Sequence, residues 1–171
     1  MPIGQPPPLL PPYGHLDRQA VECVAAAARY YEVPELLLHA ILQKEDGRVG
    51  SQSRNRNGSW DLGPAQINTS WLPQFAQYGI DARALRDNSC TNIYAEGWVL
   101  RYNANLLAND WFKATAAYNV GPHATSNKSD IGYRYAVDVV HKWWDLYHYV
   151  ASTRAGPIVS RPVAPESESI P

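Results

Sequence analysis

The stretch that decides the fold is PELLLHAILQKEDG, residues 34–47. Pro34 suits the first turn of a helix and Gly47 suits its end, so the stretch predicts one short helix. Its apolar side chains share one face at helical spacing and are expected to be buried: Leu37, Leu38, Ile41 and Leu42. Glu45 lies on the same face, where an apolar residue would be expected. The sequence therefore predicts a buried helix with a carboxyl group in its last turn.

Glu45 is the first candidate for a functional residue. A carboxylate among apolar neighbours costs free energy, so its presence there indicates a functional role. The negative end of the helix dipole also disfavours its ionised form. Both effects predict a raised pKa, and an acid that keeps its proton near neutral pH can protonate a leaving oxygen. The alternative is a helix-end glutamate that faces solvent or pairs with Lys44 or Arg48.

The segments on either side predict further helices. Asp17 can cap a first helix that ends near Tyr31. Apolar periodicity predicts four more helices, over residues 70–77, 92–107, 111–119 and 131–150. Residues 47–63 are rich in Asn, Ser and Gly, and Asn57-Gly58 is a favoured two-residue hairpin turn. The expected fold class is mainly α, with one small β-hairpin.

The two ends of the chain differ from its middle. Residues 1–13 hold six prolines and predict an extended, flexible lead-in, and residues 152–171 predict a flexible tail rich in Pro, Ser and Glu. One compact domain is expected over residues 14–151. The first residues contain neither a basic leader nor an apolar signal core, so Met1 is interpreted as an added start and any export signal as removed.

Charge and hydropathy exclude two classes of partner. The 171 residues carry 15 Lys and Arg against 16 Asp and Glu, so no broad positive field predicts nucleic-acid binding. The longest apolar stretches fall far short of the roughly 20 residues that a membrane-spanning helix needs. The rings are mostly amphipathic, 11 Tyr and 6 Trp against two Phe, which suits carbohydrate stacking as well as packing.

Cys23 and Cys90 are the two cysteines of the sequence. Neither belongs to a C-x-x-C pair or lies near a histidine at metal-ligand spacing, so no metal site is predicted. We expect a disulfide between the first helix and a later segment, which would stabilise the fold by roughly 4 kcal/mol and indicate an oxidising compartment. Two buried thiols in a cytosolic protein are the alternative.

Three short motifs follow one another in the order of a known enzyme family. They are Ile41-x-x-x-Glu45, Gly63-x-x-Gln66-Ile67 and Ala117-Tyr118-Asn119-x-Gly121-Pro122. Together they resemble the motifs of family 1 lytic transglycosylases, above all the small soluble members that serve type III and type IV secretion, conjugation or pilus machines. The resemblance covers roughly residues 16–150 and implies a lysozyme-like α+β fold, a helical bundle around a substrate cleft.

The resemblance also implies a substrate and a mechanism. Family members cut peptidoglycan between N-acetylmuramic acid and N-acetylglucosamine, so Glu45 would first protonate the leaving glycosidic oxygen. It would then take the proton from the muramoyl C6 hydroxyl, which closes on C1 to give a 1,6-anhydro sugar. One carboxyl group suffices because the nucleophile belongs to the substrate. We expect an exported, periplasmic monomer without a cofactor, whose partners are glycan strands and components of a secretion, conjugation or pilus machine.

The motif residues around Glu45 take their expected roles from the same resemblance. Tyr118 is expected to direct its hydroxyl toward Glu45 and to hold the carboxyl group, with simple packing as the alternative. Gln66 is expected to bind an N-acetyl group or a sugar hydroxyl, or else to stabilise a turn. Asn119 could bond to sugar or to backbone.

Aromatic residues supply two further expectations. Trp60, in the predicted hairpin, is the best candidate for stacking on a sugar, whereas Trp71, Trp98 and Trp111 at helical positions are expected to be core residues. Tyr135 falls where the family has a tyrosine in its last motif, and it is expected chiefly to pack, with its hydroxyl near the cleft.

Three positions depart from the family pattern. Asp46 stands where Ser is usual, Pro64-Ala65 replaces a common Leu-Met, and His123 stands where Gly is frequent. The Pro64-Ala65 change removes a flexible side chain that typically touches sugar, so contacts with the substrate are expected to differ.

Asp61 supports an alternative chemistry. Residues 57–68, NGSWDLGPAQIN, are also similar to the hairpin of animal c-type lysozymes, where an aspartate at this place is the second catalytic carboxylate. A separation of about 5 to 5.5 Å from Glu45 would allow a retaining muramidase that uses both groups. Asp61 could instead stabilise positive charge at C1, or satisfy backbone N–H groups before Gly63. A non-catalytic peptidoglycan-binding scaffold is the remaining alternative.

Overall fold

The computed structural model describes residue 16, residues 18–124 and residues 126–154. The predicted lead-in and Asp17, the predicted helix cap, lie outside these ranges, and so does the predicted tail beyond residue 154. The flexibility predicted for both ends therefore stays a prediction.

Helices make up most of the described chain. In chain order they are α1 (Arg18–Tyr31), α2 (Glu35–Glu45), the 3-10 turn Thr69–Trp71, α3 (Leu72–Ala76), α4 (Ala82–Asp87), α5 (Ser89–Leu106), α6 (Trp111–Val120) and α7 (Ser126–Arg154). The mainly α fold class is confirmed. Among these helices, none combines the length and the apolar character that crossing a membrane would require.

The central helix is α2, as its apolar face predicts. It packs against α1 and α7, and every residue from Leu37 to Leu42 is buried. The helix ends because Asp46 takes a left-handed conformation with φ 48° and donates its N–H to the Leu42 carbonyl at 3.0 Å. Gly47 does not supply this stop itself. It is required because a Cβ atom there would lie 2.2 Å from the carbonyl oxygen of Gly63.

A three-stranded antiparallel sheet follows α2, with the strands side by side in chain order: β1 (Gln52–Arg54), β2 (Trp60–Leu62) and β3 (Ile67–Asn68). The predicted hairpin is present, but the predicted two-residue turn at Asn57-Gly58 is wrong. The N–H of Gly58 donates to the carbonyl of Asn55 at 3.0 Å, and residues 55–59 connect the two strands. The two residues of β3 are too few to show a strand period, and this strand was not predicted.

Helix boundaries depend on caps that apolar periodicity does not reveal. α4 was not predicted, and it begins because the side chain of Asp81 accepts the N–H of Ala84 at 2.7 Å. α5 begins three residues earlier than predicted because the side chain of Asn88 accepts the N–H of Thr91 at 2.8 Å. The two caps thus determine where α4 and α5 begin.

Cys23 of α1 and Cys90 of α5 form the predicted disulfide. α1 packs directly on α5, and α5 packs in turn on α6, so the covalent link joins two helices that already pack against each other. The buried apolar residues of these helices form one core with α2 and α7. α2 itself packs on α7, and Glu45 at its end lines the cleft together with residues of the sheet and of α6.

Candidate active site

A cleft of about 840 Å³ opens beside the C-terminal end of α2. Its walls come from the sheet, the 3-10 turn, α5 and α6. Five of the predicted site residues meet in it: Glu45, Asp61, Gln66, Tyr118 and Asn119. Trp60 and Tyr135 are not among the described residues that line the cleft.

Glu45, in the last turn of α2, is half-buried and lines the cleft. Burial raises the pKa of its carboxyl group to about 7. The hydrogen bond from Tyr135 and the charge of Lys44 lower this pKa, the charge of Asp61 raises it, and burial outweighs the rest. Lys44 pairs with Asp138, with Nζ 2.6 Å from Oδ2, so a surface ion pair between Lys44 and Glu45 is not what the structure shows. The carboxyl group of Glu45 can therefore hold a proton near neutral pH.

The group that orients Glu45 is Tyr135 rather than Tyr118. The hydroxyl of Tyr135, on α7, donates a hydrogen bond to Oε1 of Glu45. The hydroxyl of Tyr118, on α6, donates instead to the carbonyl oxygen of Ala65 at 2.8 Å, so the prediction that it holds Glu45 is wrong. The physical reason is that Ala65 is buried and its carbonyl needs a donor. Tyr118 still lines the cleft, where it fixes the loop that carries Gln66.

Asp61 lies in β2 and faces the cleft. Its two carboxyl oxygens accept side-chain amides, from Asn55 at 2.9 Å and from Asn68 at 2.6 Å. The alternative in which Asp61 satisfies backbone N–H groups is therefore not the arrangement found. Asn68 also accepts the N–H of Ser70 at 2.9 Å, which confirms its predicted capping role.

The loop between β2 and β3 is fixed from inside the protein. Gln66 takes a left-handed conformation with φ 51° and donates its side-chain amide to the carbonyl of Gly63 at 2.8 Å, so its predicted turn role is confirmed while it also lines the cleft. Asn92 of α5 accepts the N–H of Ala65 at 2.7 Å and donates to the carbonyl of Leu62 at 2.8 Å. Sequence reasoning did not single out Asn92.

The tryptophan that lines the cleft is Trp71, not Trp60. Trp60 packs against the core and lies under the guanidinium of Arg54, 5.9 Å from the ring centroid. Trp71 packs edge-on against Trp98 and Tyr102, at ring distances of 5.7 and 5.4 Å, which fixes the orientation of its ring. The sequence pattern around Trp71 is helical and gave no sign of the cleft.

A second buried carboxyl group was also missed. Glu96 of α5 is fully buried, and neither carboxyl oxygen has a hydrogen-bond partner in the described chain. The signal that could have found it is the one that revealed Glu45, a carboxylate on an apolar helix face, here between Ile93 and Val99. In the part of the chain that the structure describes, no three His, Cys, Asp or Glu side chains are grouped as a metal ion would need.

Comparisons with known proteins agree on one family. The family model described as the transglycosylase SLT domain matches residues 22–138. The chain is 31% identical over 127 residues to the invasion protein IagB of Salmonella typhimurium strain SL1344, covering 74% of this chain and 75% of the relative. It is 28% identical over 130 residues to the protein IpgF of Shigella flexneri, covering 75% and 82%. It is 31% identical over 121 residues to the X polypeptide of Escherichia coli strain K12, covering 70% and 71%.

Proposed function

The chain belongs to the transglycosylase SLT domain family and is a peptidoglycan lytic transglycosylase, and from this premise we propose that Glu45 performs both proton transfers of the reaction. The observation that carries the proposal is the pKa of about 7 that burial gives this carboxyl group in the cleft. Such a group is protonated in a useful fraction of molecules at neutral pH and can also act as a base once ionised.

The reaction needs no second reactant. Glu45 gives its proton to the oxygen that leaves with N-acetylglucosamine, and the bond from that oxygen to C1 of N-acetylmuramic acid breaks. The ionised Glu45 then takes the proton of the C6 hydroxyl, whose oxygen forms the new bond to C1. The product is 1,6-anhydro-N-acetylmuramic acid, and Glu45 regains its starting proton. Because the nucleophile is part of the substrate, holding the sugar in place supplies much of the rate acceleration.

Asp61 supports the reaction as a fixed negative charge. Asn55 and Asn68 hold both of its oxygens in the wall of the cleft, and its charge acts on Glu45. We assign it the stabilisation of positive charge that develops at C1. Because Glu45 and Asp61 line one cleft, a muramidase that uses Asp61 as its nucleophile is the second candidate function.

The remaining site residues bind or position. Tyr135 holds Glu45, and Tyr118 holds the loop of Gln66 through Ala65. Gln66 and Asn119 line the cleft and would contact the N-acetyl groups and hydroxyls of the glycan strand.

The enzyme would act outside the cytoplasm. The Cys23–Cys90 disulfide favours an oxidising compartment such as the periplasm, and a similar protein is named an invasion protein. We propose local opening of the cell wall during assembly of a secretion, conjugation or pilus apparatus, by a monomer that needs no cofactor.

Purified sacculi test the proposal. We expect Glu45→Gln to lower turnover at least about a hundredfold, the usual effect of losing a general acid, whereas Glu35→Gln should keep wild-type turnover. Glu35 is a matched control because it begins the same helix and its side chain is 49% exposed. Mass analysis of the released fragments separates the two chemistries, since anhydro products are one water lighter than hydrolysed ones. Equal, negligible turnover of wild type and Glu45→Gln would leave the scaffold alternative instead.

A further inference from the structure

Arg56 is a cleft residue that the proposed reaction does not use. It lies in the loop that joins β1 to β2, its side chain is exposed, and it lines the cleft. Among the described residues of the cleft wall it is the one cation, and the other charged residues there are Glu45 and Asp61. A positive charge at this place calls for an anionic partner.

The protein itself does not supply that partner. No acidic side chain in the described part of the chain forms an ion pair with the guanidinium of Arg56. The two carboxyl groups of the cleft have other partners, since Asp61 accepts two side-chain amides and Glu45 accepts the hydroxyl of Tyr135. The N–H donors of Arg56 are therefore available to a ligand in the cleft.

The loop around Arg56 is held by the side chains of its two neighbours. Asn55 donates its side-chain amide to Asp61 at 2.9 Å and to the hydroxyl of Ser59 at 3.2 Å. The side-chain oxygen of Asn57 accepts the N–H of Ser59 at 3.0 Å. Because both neighbours are tethered, only the side chain of Arg56 has to be ordered when a ligand binds, which limits the entropic cost of binding.

The sugars of a glycan strand offer no anion to this cation. They present hydroxyl and N-acetyl groups, which suit the amide and hydroxyl side chains that make up much of the cleft wall. The negative charge of peptidoglycan belongs to the peptide stem, which is joined to N-acetylmuramic acid through the lactyl group and carries free carboxylates. Arginine binds carboxylates through charge-assisted hydrogen bonds.

On the premise of the proposed function, we propose that Arg56 is a specificity-determining residue that binds a carboxylate of the peptide stem. The contact lies away from the reacting atoms, so it contributes to the binding of strands that bear stems and leaves the proton transfers of Glu45 unchanged. A charge at the rim of a binding site acts mainly on encounter and on salt dependence. The enzyme would therefore prefer glycan strands whose stems carry free carboxylates.

Stem-bearing strands, freed from sacculi with an endopeptidase, test the proposal in two forms: native, and with the stem carboxylates converted to neutral methylamides. We expect Arg56→Gln to raise KM on native strands about fivefold at unchanged kcat, the upper range for an exposed ion pair. Wild type should show the same rise on methylamidated strands, where Arg56→Gln should have no further effect. Arg83→Gln is the matched control and should behave as wild type. It removes the same charge from a side chain that is 84% exposed and is not among the described residues of the cleft wall.

Salt gives an independent readout. The difference between wild type and Arg56→Gln on native strands should fall below about twofold at about 1 M salt, where the screening length is only about 3 Å. Equal KM values for the two proteins on native strands at low salt would overturn the proposal. So would an equal rise on native and methylamidated strands, because Arg56 would then contact a neutral group. An equal rise on strands stripped of their stems by an amidase would overturn it as well, since the carboxylate that remains there is the lactyl group.

Failure of the proposed function is a separate outcome. If wild type turns over sacculi no faster than Glu45→Gln, the proposed function fails. Calorimetric titration of Glu45→Gln, with and without Arg56→Gln, against the two strand forms still decides whether Arg56 binds the stem. A Kd about fivefold lower for native strands, lost with Arg56→Gln, would support the contact, and equal Kd values in all four titrations would overturn it.

Discussion

Replacing Glu45 by Gln should change how the stability of the protein depends on pH. The pKa of Glu45 is about 7 in the folded protein against an ordinary value of 4.5. Because the folded value is the higher one, the contribution of Glu45 to the stability of the folded protein is fully present below the unfolded pKa. This contribution is lost as pH rises through the folded pKa. At 1.36 kcal/mol per pKa unit, the loss is about 3 kcal/mol.

Glutamine stays neutral and has no such loss. Wild type and Glu45→Gln should therefore have similar free energies of unfolding at about pH 4, and Glu45→Gln should be more stable by about 3 kcal/mol at about pH 8.5. At roughly 3 °C per kcal/mol for a protein of this size, the gap in Tm should reach about 10 °C at the higher pH.

Differential scanning calorimetry at the two pH values measures the gap directly. Glu35→Gln serves as the control, because it removes one carboxyl group from the other end of the same helix, where the side chain is 49% exposed. A Tm difference between wild type and Glu45→Gln that is the same at both pH values would refute the reasoning. Glu45 would then be an ordinary hydrated carboxylate, and its role as the acid would lose its physical basis.

Two further substitutions test the surroundings of Glu45, and a third variant tests the disulfide. Tyr135→Phe removes a hydrogen bond that lowers the pKa of Glu45, so the alkaline limb of the pH–rate profile should move up by about one unit and turnover should fall about tenfold; an unmoved limb would contradict this. Asp61→Asn should reduce turnover at least about tenfold while the folded fraction stays high in circular dichroism, whereas full specific activity in the folded protein would leave Asp61 a structural role. Exchanging both Cys23 and Cys90 for Ser should lower the free energy of unfolding by about 4 kcal/mol, the loop-closure value for a 67-residue separation, as urea denaturation would measure; equal midpoints would argue against it.

The sequence predicted those features of the structure that depend on few residues. The apolar face of α2 and the carboxyl group that continues it lie within residues 34–47, and the structure has this helix buried as predicted. The disulfide was predictable because two cysteines allow a single intramolecular pairing. Local periodicity was sufficient for the helix, and the presence of two cysteines was sufficient for the disulfide.

Contacts between distant segments were not predictable in the same way. The choice between Tyr118 and Tyr135 as the partner of Glu45 depends on how α6 and α7 pack, and each residue lies more than 70 positions from Glu45 along the chain. The caps of α4 and α5 are short polar contacts that leave no apolar period. Glu96 was overlooked because its helix was assigned from apolar residues alone.

The two carboxyl groups in the cleft have different surroundings. Glu45 has burial and one phenol donor, whereas Asp61 has two amide donors and lies in the open wall of the sheet. The charge of Asp61 also raises the pKa of Glu45, so it favours the protonated state from which the reaction starts. In the proposed mechanism, Asp61 would add to the effect of burial on Glu45 and would then face the positive charge at C1, without forming a bond to the sugar. Because both oxygens of Asp61 are already engaged by Asn55 and Asn68, we propose the anhydro product over a covalent intermediate on Asp61.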